Sequence, residues 1–160
     1  MAVKIERKDR LRAKLLALPK EVRAEMKKAL REGAEELVAM QKRLVQVDSG
    51  ALRDSIGYTF GKYQAENSNV RGVSASAGLD DPDLSVTVHA GNAKAYYAAF
   101  VEFGTEPHSQ PRNKRIGRFH PGSAARPFFF PSYRALKKRI RSRVTRATTK
   151  AAKTVAAQGK

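Results

Sequence analysis

Apolar residues recur at helical spacing in two long stretches of the chain, and at strand spacing between them. Pro19 suits the first turn of a helix, where its missing N–H has no partner anyway. Beyond it Met26, Leu30, Gly33, Leu37, Met40 and Leu44 follow at steps of three and four. That is one apolar stripe on a helix of about seven turns, with Lys and Glu on the other faces. The stripe predicts packing against a sheet, with a subunit contact as the alternative. Gly33 lies on the stripe at a cost of about 1 kcal/mol in helix propensity. Close approach of another backbone would explain it. Tyr133, Leu136, Ile140, Val144, Ala147, Ala151 and Val155 repeat the pattern after Pro131. This second face thins from Leu and Ile to Ala, so the last helix is expected to pack best at its start. A charged stretch at 3–17 carries Leu11, Leu15 and Leu16 at helical spacing and predicts a short helix over 1–18.

Between the long helices the period changes. Asp48-Ser49-Gly50 breaks the first helix. Ile56, Tyr58 and Phe60 then alternate with Ser55, Gly57 and Thr59, and Leu84, Val86 and Val88 alternate with Ser85, Thr87 and His89. Both runs have strand periodicity. Residues 70–77 predict a weaker strand of small residues. Asp80-Asp81-Pro82-Asp83 predicts a turn, since Pro presets φ and Asp bonds its own backbone. Together these predict an antiparallel meander. Tyr96, Phe100 and Phe103 predict a short helix with Gly104 as its left-handed C-cap. Residues 106–126 predict a long basic Pro/Gly-rich loop, of a length that tends to be functional or disordered. Pro127-Phe128-Phe129-Phe130-Pro131 then predicts a short extended anchor docked into the core.

The fold class is α+β: a small antiparallel sheet packed against a long N-terminal and a long C-terminal helix. A chain of 160 residues suits one domain and can bury roughly 70% of its unfolded surface. Its parts are the helix at 1–18, a helix-plus-sheet body at 19–105, the loop at 106–126, and the anchor and basic helix at 127–157. The absence of Cys excludes disulfides, thiolate metal sites and thiol catalysis. No apolar run approaches a membrane span. The start, MAVKIERKDR, lacks a signal-peptide core, so secretion by that route is not expected.

Net charge, +17, points to a polyanion nearby. Its distribution changes that picture. Residues 1–50 are net +5 and residues 51–107 net −3, whereas residues 108–160 carry fifteen basic side chains and no acid. On the last helix Arg134, Lys137, Lys138, Arg139, Arg141, Lys150 and Lys153 are the candidate polyanion-facing residues. No acid lies within four residues of them to relieve the repulsion. Contact with a DNA backbone, docking on an acidic protein and a solvated face all stay open. There is no RNA-binding aromatic motif or helix-turn-helix, so base readout is not expected.

Catalytic chemistry finds little support. His89, His108 and His120 lack metal-ligand spacing, and Ser109 beside His108 is not a triad. Gly72, Gly78 and Gly91 form no phosphate-binding loop. Glu102 is the one carboxylate in an aromatic setting. Burial would raise its pKa and make it a general acid, but a partnered structural group is the plainer expectation. No cofactor and no metal are expected.

Three segments, in order, resemble one family. Val47-Asp48-Ser49-Gly50-Ala51-Leu52-Arg53-Asp54-Ser55-Ile56 resembles a "Val-x-Thr-Gly-x-Leu-Arg-x-Ser-Ile" segment, with Ser49 where Thr is usual. Tyr97-Ala98-Ala99-Phe100-Val101-Glu102-Phe103-Gly104-Thr105 resembles "Tyr-Ala-x-Tyr-Val-Glu-Phe-Gly-Thr". Ala125-Arg126-Pro127-Phe128-Phe129-Phe130-Pro131 resembles "Ala-x-Pro-Phe-Leu-x-Pro". The family is that of the tail-completion, or head–tail joining, proteins of long-tailed double-stranded DNA phages and their prophages. A departure is the basic insert between Thr105 and Pro127, often shorter in the family.

The resemblance implies a non-enzymatic virion component at the neck or head-proximal tail, assembled in the host cytoplasm. It implies a homo-oligomeric, hexameric ring contacting other phage neck or tail proteins, with DNA passing without being read and no membrane. The motif residues Ser49, Gly50, Leu52, Arg53, Ser55, Tyr97, Glu102, Phe103, Gly104, Thr105, Pro127 and Phe128 become the assembly candidates. For Glu102 to Thr105 the two roles are fixing the turn before the loop and touching a neighbouring ring. A basic nucleic-acid-binding protein without specificity, a tail terminator and a head-closure protein are the competing readings.

Overall fold

A computed structural model describes residues 18–77, 84–109 and 119–157. The expected helix at 1–18, the turn at 80–83 and the centre of the basic loop lie outside, or almost wholly outside, those residues.

Helix α1 spans Lys20–Leu44 and starts behind Pro19, whose φ of −53° suits a helix entry. Glu21 in its first turn and Lys42 and Arg43 in its last complement the helix dipole. Its buried positions are Val22, Ala29, Gly33, Ala34, Leu37 and Gln41. The predicted stripe thus holds in the middle and drifts at the end. Gln41 is fully buried whereas Leu44 is 51% exposed. A run of 25 residues rotates away from a fixed 3.5 spacing, since each turn takes 3.6.

The chain then leaves in extended conformation at Val45, and a four-residue helix α2, Ala51–Asp54, follows Gly50 at φ 83°. The strands are β1 (Gly57–Phe60), β2 (Val73–Ala77) and β3 (Val86–Ala90), all pairs antiparallel. Their order is β1-β3-β2, so the expected meander is corrected: the last strand enters between the first two. Four of the five β3 residues are buried, as a central strand with two covered faces requires.

Helix α3 is Ala98–Phe103. Gly104 has φ 74° but ψ −177°, so it leaves the helix in a glycine-favoured extended turn and not as the expected left-handed cap. Two short strands, β4 (His108–Ser109) and β5 (Phe119–His120), pair antiparallel, and Thr105 bridges Ser123. Both described ends of the 106–126 segment are therefore zipped together.

Helix α4 runs Phe129–Ala157 and replaces the expected extended anchor. Phe129 to Pro131 form its first turn, where a missing Pro N–H is harmless. Phe128 and Phe129 are buried almost completely. Along α4 the predicted stripe of Tyr133, Leu136, Ile140, Val144, Ala147 and Ala151 turns inward, with Ala151 buried. Helices α1 and α4 pack antiparallel: Gln41 Nε2 donates to Phe129 O at 3.4 Å, Glu36 meets Arg143, and Ala24 shares a groove with Ala147 and Ala151. At Gly33 the close neighbour is a side chain and not the expected backbone. A Cβ there would lie 2.7 Å from Ile140 Cγ2. The core joins Leu37, Leu52, Ile56, Val73, Val86, Val88, Phe128 and Phe129.

Candidate assembly site

The segment 45–50 leaves α1 through extended Val45 and enters α2 through Gly50, whose positive φ L side chains rarely take. Ser49 Oγ accepts from Ala51 N at 3.4 Å and helps start α2. Leu52 is buried, which pins α2 to the core. Ser55 Oγ donates to Leu52 O at 2.7 Å and accepts from Gly91 N at 3.0 Å, tying the first motif to the end of β3.

The second motif lies beside the first. Arg71 N donates to Tyr96 O and Ala99 N to Arg71 O, both at 2.8 Å, which hangs α3 on the start of β2. The third motif arrives when Arg126 N donates to Val101 O at 2.8 Å, and the Arg126 guanidinium reaches Gln46 Oε1. The three motifs thereby enclose a cleft of about 580 Å³, lined by Gln46 to Gly50, Leu52, Arg53, Tyr97, Phe100, Val101, Ser123, Ala124 and Arg126. Of the predicted assembly residues, Ser49, Gly50, Leu52, Arg53 and Tyr97 line it.

Glu102 points the other way, into the core, and is 3% exposed. Its Oε2 accepts from Phe128 N and Phe129 N, each at 2.8 Å, and its Oε1 accepts from Phe130 N at 3.0 Å. These are N–H groups that a helix cannot satisfy with its own carbonyls. A carboxylate at the positive end of α4 meets them with charge-assisted bonds. Glu102 thus joins the second motif to the third by capping the last helix, and Pro127 and Phe128 are positioned by that cap.

Gly104 and Thr105 close the other end of α3. A Cβ on Gly104 would come 2.6 Å from Ser123 O. Thr105 and Ser123 exchange two main-chain bonds, at 3.0 and 3.1 Å. These residues fix the return of the chain toward α4.

The aromatic spacing of 96, 100 and 103 marks the solvent side of α3 and not its core side. Tyr96, Phe100 and Phe103 are 52, 43 and 63% exposed, while Ala98 and Glu102 are buried. Val47 and Leu44 are also exposed. Of these, Val47 and Phe100 line the cleft, and a monomer rarely exposes large apolar side chains together. Phe103 leans on Phe130, with ring centroids 5.8 Å apart. Sequence reasoning left Gln46, Ser123 and Arg126 off the site. They sit 80 residues apart in part and have no periodic signal.

The seven cationic candidates on α4 are all exposed. Their charge is partly met from α1, which local spacing did not reveal: Glu36 pairs with Arg139 at 3.1 Å and with Arg143 at 2.7 Å. Elsewhere, His89 stacks on Tyr63 at 3.8 Å, and burial lowers its pKa. Among the described residues there is no cluster of groups able to hold a metal ion, and no helix long and apolar enough to cross a membrane.

Comparison with known families gives one match. Residues 9–104, more than half of the chain, match the HK97 gp10-like family, described as "Bacteriophage HK97-gp10, putative tail-component". No curated protein and no solved structure matches the chain.

Proposed function

Since this chain belongs to the HK97 gp10-like family of bacteriophage tail components, we propose that it is a non-enzymatic subunit of the head–tail interface. In this reading it assembles in the host cytoplasm as a ring, hexameric by its resemblance, through which DNA passes on its way to the tail. The family carries the coarser statement, a tail-associated structural protein of the virion. The finer one rests on a single observation: three motifs distant in sequence converge on one cleft lined in part by exposed Val47 and Phe100. Such a surface suits a neighbouring neck or tail protein. Phe100→Asp places a charge in that cleft without touching the core. In a phage lacking this gene, the variant is expected to leave heads and tails unjoined, while circular dichroism shows a folded protein. Full rescue of infectivity by the folded variant would sink the docking role of the cleft.

A second reading, a basic nucleic-acid-binding protein without specificity, draws on the exposed cations of α4. It leaves the cleft without a purpose, so the assembly reading is preferred. A tail terminator and a head-closure protein would use the same kind of surface at neighbouring levels of the stack.

A further inference from the structure

Among the described residues the three-stranded sheet leaves two open edges. β3 is central, so β1 and β2 each pair on one side only. Gly61 N donates to Ser85 O at 2.8 Å, which sets the alternation along β3. Thr87 and His89 turn their main-chain groups to β1, and Val86, Val88 and Ala90 turn theirs to β2. Ser74 and Ser76 on β2, and Tyr58 and Phe60 on β1, must then direct N–H and C=O away from the sheet. None of these main-chain groups has a hydrogen-bond partner among the described residues.

Natural edges are blunted by charge, proline or a bulge. These two carry none: β1 is Gly-Tyr-Thr-Phe and β2 is Val-Ser-Ala-Ser-Ala. In a chain with 29% charged residues and a net charge of +17, uncharged edges let two copies approach without setting like charges together. Each strand is antiparallel to β3, so β1 and β2 run parallel to one another. A rotation from one copy to the next can lay β2 of the first against β1 of the second, head to tail. That contact uses both edges, and a heterologous contact of this kind can close into a ring. In the register that sets Ser76 level with Thr59 of the next copy, exposed Arg71, two residues before β2, comes level with exposed Asp54, three residues before β1.

We propose that the open edge of β2 receives β1 of a second copy of this chain, continuing the sheet across the subunit boundary. This deepens the ring reading above and rests on it for closure. The chain has no Cys, so engineered cysteines report the contact cleanly. Thr59 and Ser74 lie on the face opposite the core-packed Tyr58, Phe60 and Val73, and within one copy β3 separates them. Two strand spacings, about 10 Å, are beyond the reach of a disulfide.

Oxidising Thr59→Cys/Ser74→Cys, with Thr59→Cys/Ser76→Cys for the adjacent register, is expected to give a covalent ladder extending past the dimer. Each single variant should stay monomeric on a denaturing gel. Dimers from Ser74→Cys alone, with no longer ladder in the double variant, would assign the contact to β2 against β2 and overturn the proposal. Rings in negative stain without any cross-link would overturn the strand pairing and leave the ring reading standing. A monomer with neither rings nor cross-links at high concentration would overturn both. Ser74→Pro removes an outward N–H and spares the β2–β3 ladder. It should keep the circular dichroism of the parent and lose the assembly.

Discussion

Glu102 is buried among aromatics, yet its carboxylate has three N–H partners at the first turn of α4. Glu102→Ala leaves those donors unsatisfied beside Phe128 and Phe129, and a cost of about 3–5 kcal/mol is expected. Glu102→Gln keeps one acceptor and loses the charge, at about 1–2 kcal/mol. Urea unfolding of the two variants checks this order; equal costs would mean that the acceptor kept by Gln contributes nothing, and a Gln variant as stable as the parent would mean that the charge contributes nothing to the cap. The sequence marks Glu102 as unusual because a lone carboxylate sits among Tyr, Phe and Val. It cannot say what Glu102 bonds, since the partners lie 26 to 28 residues away and local spacing is silent about them. His89 supplies a second prediction at this scale. Burial lowers its pKa from 6.5, so below that value the unfolded chain binds a proton that the folded one refuses. The contribution is fully present above 6.5 and is lost as pH falls below it. A His89→Phe variant should lose less stability than the parent between about pH 7.5 and 5.5, in thermal melts. Parallel curves would refute this.

Between elements, the α1–α4 contact depends on Gly33. The expected Cβ of an alanine would sit 2.7 Å from Ile140 Cγ2, a branched group with little freedom to move. Gly33→Ala gains about 1 kcal/mol of helix propensity but overpacks the contact by about 1–3 kcal/mol. A net loss of about 1 kcal/mol is expected. Ile140→Ala alone opens a cavity. The double variant Gly33→Ala/Ile140→Ala should be more stable than the sum of the single changes predicts, a coupling that a double-mutant cycle measures. Strict additivity would show that the helices separate freely here. Both apolar stripes were legible because helix period and burial agree over many turns. What the stripes could not show is which partner they meet. The glycine pointed to a close approach, and the approach proved to be that of a side chain. Gln41 was invisible because a polar residue carries no apolar signal, though its Nε2 bond to Phe129 O brings it into the core.

For the whole molecule, the sequence indicated three strands and two long helices but not the order of the strands. A strand reads the same whether its neighbour follows it directly or comes later, and β3 holds the centre, where four of its five residues are buried. The three motifs were visible as strings, whereas their meeting at one cleft depends on Arg71, Arg126 and Glu102 reaching across the fold. Charge belongs to this scale too. Arg134, Lys138 and Arg141 lie on the exposed side of α4, away from Glu36, and have no ion-pair partner among the described residues. Arg139 and Arg143 are already paired. If the free cations line a path for DNA, they act by displacing counterions from phosphates, and each contributes about 0.9 to the slope of log affinity against log salt. Changing Arg134, Lys138 and Arg141 together to Gln should therefore lower the slope for duplex DNA by about 2–3, equally for any sequence. The same number of changes at Arg139, Arg143 and Arg53 should lower it less, because each already has a carboxylate at hand. Fluorescence anisotropy over a salt series measures both. An unchanged slope in the first variant would remove DNA from that face and leave the cations of α4 to an acidic protein neighbour or to solvent.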